Sequence, residues 1–182
     1  MGVGILINSN FTYTVQEYHD IIKGRMQSLT LNIGEKDYIF LNVYAPNNST
    51  DNINFLSKIE DFVISNESDT LIIGGDFNTI IDINNDKKHG NVNNNKKNRE
   101  KIKEIIENND IHDIYRILNP NAKQYTWHSN HKPPIFCRLD YFLVSSNILN
   151  AITTCKITTG IRSDHSLVYF NINVENQPRG PG

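Results

Sequence analysis

Leu71-Ile72-Ile73-Gly74-Gly75-Asp76-Phe77-Asn78 is the stretch on which the reading of this chain turns. A short apolar run ends in two glycines, and a carboxylate and a carboxamide follow two residues apart. The run reads as a buried strand. Residues two apart on a strand face one side, so Asp76 and Asn78 are expected to project together while Phe77 points back inward. The glycines allow a close approach of backbone or ligand, or a turn. An acceptor and an amide converging at the carboxyl end of a strand suit a site for a phosphate and a metal ion. An Asx turn closing a core strand is the plainer account of Asp-x-Asn taken alone.

Upstream, residues 1–8 read as a strand from the third residue, and residues 11–15 as a second. Residues 25–33 and 38–44 have strand composition, joined by Gly34-Glu35-Lys36-Asp37, a hairpin signal. Pro46 ends the later strand, because proline cannot join a central ladder. Residues 51–66 read as a helix, with Phe55, Ile59, Phe62 and Val63 on one face and Asp51 as its N-cap. Downstream, residues 82–98 form a polar, lysine-bearing stretch expected to be a surface loop. Helices are expected at 99–108 and 111–118, and strands at 125–127, 138–145, 152–158 and 167–174. Many strands, few helices and hairpin links predict a mostly antiparallel α+β layered fold.

The chain has 182 residues, enough for one domain with a substantial core. A net charge of −2 excludes a protein that is basic throughout, so a phosphate-rich partner must be met by a local basic patch or by metal ions. Two cysteines without a CxxC pattern fit a reducing compartment and no zinc cluster. No apolar run is long enough to span a membrane and no signal peptide opens the chain, so an intracellular location, nuclear or cytoplasmic, is expected. The frequent asparagines read as a drift of composition.

Four polar clusters share one arrangement, a strand or its end followed by acidic or amide residues. They are Tyr44 to Asn47, Asp76-Phe77-Asn78, Arg138-Leu139-Asp140 and Ser163-Asp164-His165. Each alone has a bland account. Tyr44 would be a half-buried aromatic, Arg138 with Asp140 a surface pair, and Asp164-His165 turn chemistry. Together they supply carboxylates for a divalent cation, an amide, a phenol and a histidine, the groups that metal-assisted phosphoester hydrolysis uses.

The stretches LNVYAPN (41–47), GGDFN (74–78), YTW (125–127), RLDYFLVS (138–145) and SDHSLV (163–168) resemble, in order, those of the endonuclease/exonuclease/phosphatase superfamily. Within it the chain most resembles the endonuclease domain of LINE-type (non-LTR) retrotransposons, for its YTWHS and RLDYFLVS phrasing and a Pro/Gly-rich ending like a linker toward a reverse transcriptase. The resemblance implies a four-layer α/β sandwich, two mostly antiparallel sheets flanked by helices, over residues 1–174, with 175–182 as linker. It implies a DNA endonuclease that uses Mg²⁺ or Mn²⁺ and nicks one strand for target-primed reverse transcription, with DNA and a reverse transcriptase domain of the same polyprotein as partners. An abasic-site repair nuclease shares every catalytic letter, and a nucleic-acid-binding relic is the non-enzymatic alternative.

The roles it implies are specific. Asp76 activates or orients the attacking water, and Asn78 binds the phosphate or the water. His165 binds the phosphate, oriented by Asp140. Asp164, with Asp76 and Asn78, holds the metal, and Tyr44 contacts the phosphate or assists the leaving group. Arg25, Asn47, Thr126, Arg138 and Ser163 support the site. The family's opening strand with its asparagine, and its Gln-Glu pair with a metal-binding glutamate, have no match, since Gln16-Glu17 follows the strand it should precede. The resemblance thus implies missing first strands, weak metal binding and little metal-dependent cleavage by these 182 residues.

Overall fold

The computed structural model describes residues 2–67, 69–91, 95–158 and 163–174. Its centre is a sheet of six strands. In chain order β1 (Thr14–Ile22), β2 (Met26–Ile33) and β3 (Lys36–Tyr44) form an antiparallel meander, and helix α1 (Ser49–Ser65) carries the chain to β4 (Leu71–Asp76). Then come α2 (Ile83–Asp86), β5 (Lys87–Lys88), α3 (Lys96–Asn108), β6 (Ile111–Asp113) and α4 (Ile114–Leu118). Strands β7 (Trp127–His128), β8 (Phe136–Cys137), β9 (Asp140–Ser145), β10 (Ile152–Thr158) and β11 (Leu167–Ile172) complete the order. The main sheet runs β1-β2-β3-β4-β9-β6, with β3 and β4 parallel through the α1 crossover and the other pairs antiparallel.

One face of this sheet packs on α1 and α3 through Phe55, Leu56, Ile59, Ile102 and Ile105 against Leu41, Val43 and Ile73. The other packs on the β10–β11 pair through Leu31, Ile72, Val144, Ile152 and Cys155. Helices and stacked sheets make the α/β sandwich that the motifs imply. A third, small sheet, β5-β8-β7, sits at the carboxyl end of β4. No helix among the described residues is long and apolar enough to cross a membrane.

Several local expectations are corrected. Residues 2–8 form no strand: Ile5 and Ile7 pack on the core with the alternation of a strand, but the described residues offer them no ladder. Residues 11–13 precede β1, and Gln16 and Glu17 lie within it, exposed to solvent. Helix α1 begins earlier than read, because the Asn48 side chain caps it by accepting from the Thr50 and Asp51 amides. The stretch 82–98 is not one loop. Asp82 caps α2, Asp86 is wholly buried, β5 pairs with β8, and α3 starts at Lys96. Of 111–118 only the second part is helical, since Ile111–Asp113 pairs with β9. The 175–182 stretch lies outside the described residues.

Candidate active site

The core strands end together, and their ends make the site. In the parallel register of β3 and β4, Tyr44 stands beside Asp76, and in the antiparallel register of β4 and β9, Asp76 stands opposite Asp140. Three chemical side chains thus lie in one row across three neighbouring strands. The glycines before Asp76 are what let the strands come so close. A Cβ on Gly74 would lie 2.3 Å from the Phe142 ring, and one on Gly75, at φ 138°, 2.0 Å from the Val43 carbonyl oxygen. The close approach expected there is therefore made by the protein's own core.

The chain then leaves β4 abruptly. Phe77 turns into the core and stacks on Tyr141, ring centroids 4.2 Å apart. Asn78 adopts a left-handed conformation, φ 47°. Its backbone N–H donates to Asp76 Oδ1 at 2.8 Å and its side-chain amide to Asp76 Oδ2 at 3.2 Å and the Ala45 carbonyl at 2.8 Å. Asp76 and Asn78 do come together, but through an Asx turn and not through strand alternation.

His165 enters from the loop before β11. It forms an isolated bridge with Trp127, and its Nδ1 lies 2.8 Å from Asp140 Oδ2. Asp76, Asp140 and His165 offer three ligand atoms within 4.8 Å of one another. With Tyr44 and Gly2 they line an open depression of about 340 Å³. Burial, then the neighbouring Asp140 carboxylate, push the Asp76 carboxyl up from 3.8 to about 6 against the opposing pull of the Asn78 N–H and His165. The hydrogen bond with Asp140 raises His165 above its usual value, against partial burial. The two carboxylates carry negative charge that a divalent cation would relieve, and carboxylate oxygens suit magnesium or manganese, while the His165 nitrogen is engaged by Asp140. Two carboxylates are few protein ligands for a six-coordinate magnesium ion, and water would fill its other positions.

The other expected site residues fall into place around this group. Asp164 stands apart from it, its backbone carbonyl accepting from His128 N–H and its carboxylate from Trp127 Nε1 at 3.0 Å. Ser163 Oγ accepts from His165 N–H. Arg25 donates to the Tyr44 carbonyl at 3.1 Å, and its guanidinium lies 5.1 Å from the centre of the Tyr44 ring. Thr126 is buried, and its hydroxyl accepts from the Leu139 and Asp140 amides at 2.8 and 3.0 Å, fixing the start of β9. Asn47 is exposed in the bend before α1.

Arg138 is no surface partner of Asp140. It is 1% exposed, and it binds Asp86 through Nε at 2.7 Å and Nη2 at 2.9 Å, and Asp113 through Nη1 at 3.2 Å and Nη2. Arg116 also reaches Asp86. Asp86 and Asp113 lie 52 and 25 residues away from Arg138, and the residues around Asp86 carry no local signal of burial.

Residues 38–169 match the endonuclease–reverse transcriptase family of the endonuclease/exonuclease/phosphatase superfamily, and the chain belongs to that family. It is 26% identical over 178 residues to the transposon TX1 uncharacterized 149 kDa protein of Xenopus laevis, covering 95% of this chain and 13% of that protein. The endonuclease domain of TRAS1, a telomere-specific non-LTR retrotransposon, superposes with a TM-score of 0.70 at 14% identity, over 90% of this chain and 70% of that one. The AP endonuclease of Leishmania major gives 0.68 at 20% identity, over 87% of this chain and 56% of that one. These structural likenesses are likenesses of fold. The chain spans a small part of its transposon relative and a little over half of the Leishmania enzyme.

Proposed function

We propose that this chain is a divalent-metal-dependent DNA endonuclease that nicks one strand, with the nick priming reverse transcription by a reverse transcriptase domain of the same polyprotein. The observation that carries the reading is the row Tyr44, Asp76 and Asp140 across three strand ends, with His165 held on Asp140. Asp76, at the centre of that row, orients the attacking water and takes its proton. Asn78, whose amide is committed to Asp76 and Ala45, holds that carboxylate in place. His165 keeps Nδ1 on Asp140, which leaves Nε2 to donate to the scissile phosphate. Tyr44 gives a proton to the departing oxygen. Asp76 and Asp140 would hold Mg²⁺ or Mn²⁺, with Asp164 as the further carboxylate nearby in sequence to His165, and the ion would supply charge stabilisation for the phosphoryl oxygens. Lys87 and Lys88 of β5 lie in the small sheet whose other edge, β7, bridges to His165 through Trp127, and their charge suits the DNA backbone.

The test is nicking of supercoiled plasmid under single-turnover conditions at millimolar Mg²⁺ and Mn²⁺, with an abasic duplex as a second substrate. Slow nicking of plasmid that stops with EDTA is the expected result, slow because the donor set is sparse. Cleavage confined to the abasic duplex would replace the reading with a repair-type nuclease. Salt-sensitive DNA binding without any cleavage would replace it with a binding module.

A further inference from the structure

Beneath the site lies a cluster of buried amides that the roles above do not use. Asn52, on the first turns of α1, is 1% exposed and Asn98 of α3 is 0% exposed. The Asn52 side-chain amide donates to two backbone carbonyls, Pro46 at 2.8 Å and Phe77 at 2.9 Å. Its oxygen accepts from the Thr79 hydroxyl at 3.1 Å and from Asn98 Nδ2 at 3.0 Å. Asn98 Nδ2 also donates to the Ser49 carbonyl, and the Ser49 hydroxyl donates back to Asn98. Every hydrogen-bonding position of the Asn52 carboxamide is filled.

The two carbonyls belong to the segments that carry the site. Pro46 follows Tyr44 by two residues, and Phe77 lies between Asp76 and Asn78. Above Asn52 the same segments are tied by the Ala45 N–H on the Asp76 carbonyl and the Asn78 amide on the Ala45 carbonyl. We propose that Asn52 is a positioning residue, a buried clamp that sets the spacing of Tyr44 and Asp76 by holding the segment after β3 and the segment after β4 with one carboxamide. This rests on the nuclease reading above for its consequence, although the clamp itself is a matter of geometry. An apolar side chain in this place leaves two buried carbonyls without a donor, and the two segments then part to reach water. A displacement of about 1 Å in a catalytic constellation costs on the order of 100-fold in rate.

The experiment compares Asn52→Leu, and the milder Asn52→Ser in case the first does not fold, with Val63→Ala, a cavity in the same helix away from the site. Two readouts are taken below the unfolding range. Amide hydrogen exchange is expected to quicken about 10-fold or more at Ala45 and Asn78 together in the Asn52 variants, and not in Val63→Ala. The nicking rate at saturating DNA is expected to fall about 30- to 100-fold with half-saturation changed less than about 3-fold. If exchange at the two sites merely follows global stability, as in Val63→Ala, the clamp is overturned. If exchange responds as expected but the wild-type chain cuts no DNA, the clamp stands and the nuclease reading falls.

Discussion

Two clusters of carboxylates and cations lie on either side of Leu139, and they have opposite characters. Behind it, Arg138 and Arg116 meet Asp86 and Asp113 in the protein interior, two charges of each sign. Burial there works to raise the Asp86 carboxyl, but the bidentate Arg138 guanidinium overrides it and holds Asp86 below its usual value. Arg138 also lies over the Tyr115 and Tyr141 rings, at 5.5 and 5.2 Å. In front of Leu139, Asp140 and Asp76 share a single histidine in an open depression, and Asp76 is raised. A cluster whose charges cancel inside the protein is scaffold, whereas one left short of positive charge at the surface is ready to take a cation or a proton. The scaffold also serves the site. The Arg138 N–H donates to the Asp86 carbonyl, and Tyr141, beneath Arg138, stacks on Phe77 and donates its hydroxyl to the Thr79 carbonyl.

The largest break in this comparison should come from Arg138→Met, which strands two buried carboxylates. A loss of about 3–5 kcal/mol is expected in urea unfolding, with Asp86→Asn in the same background recovering part of it. Next, Asp140→Asn should leave the fold intact, return the His165 midpoint by NMR toward its ordinary value, and slow nicking about 10- to 100-fold. A smaller effect is expected from pH in metal-free buffer. The folded state holds the Asp76 proton more tightly than the unfolded chain does, so its contribution to stability is lost as pH rises from about 4 to about 6. His165, raised as well, loses its contribution above its ordinary value. The stability advantage of Asp76→Asn over wild type should therefore grow across pH 4–6 and level off above it. A constant difference would deny the raised Asp76. The smallest effect should come from Trp127→Phe, which frees Asp164 from the indole N–H; a change in stability below about 1 kcal/mol is expected by denaturation.

What the sequence discloses follows the range of the interactions. The apolar run into Gly74-Gly75 and the hairpin around Gly34 are local patterns, and the sheet strands β2, β3 and β4 were legible from them. The row of Tyr44, Asp76 and Asp140 could be named through motifs, although its alignment needed the register of three strands. Asp86 and Asp113 could not be found, because their burial depends on an arginine far along the chain. Asn52 and Asn98 left a fainter signal. Each falls at helical spacing with the buried face, Asn52 with Phe55, Leu56, Ile59 and Val63, and Asn98 with Ile102 and Ile105. A polar residue in an apolar stripe is a sign of a buried network, and here a composition rich in asparagine hid it. Ile111–Asp113 went to strand against its helical reading because β9 offered an open edge.

The claim that the open cluster is the reaction centre is tested most directly by Asp76→Asn, with single-turnover plasmid nicking at millimolar Mg²⁺ and urea unfolding measured on the same sample. The account predicts a rate at least about 100-fold lower in a protein no less stable than wild type at pH 7. Nicking at an undiminished rate, or a loss no greater than the unfolded fraction explains, would contradict it.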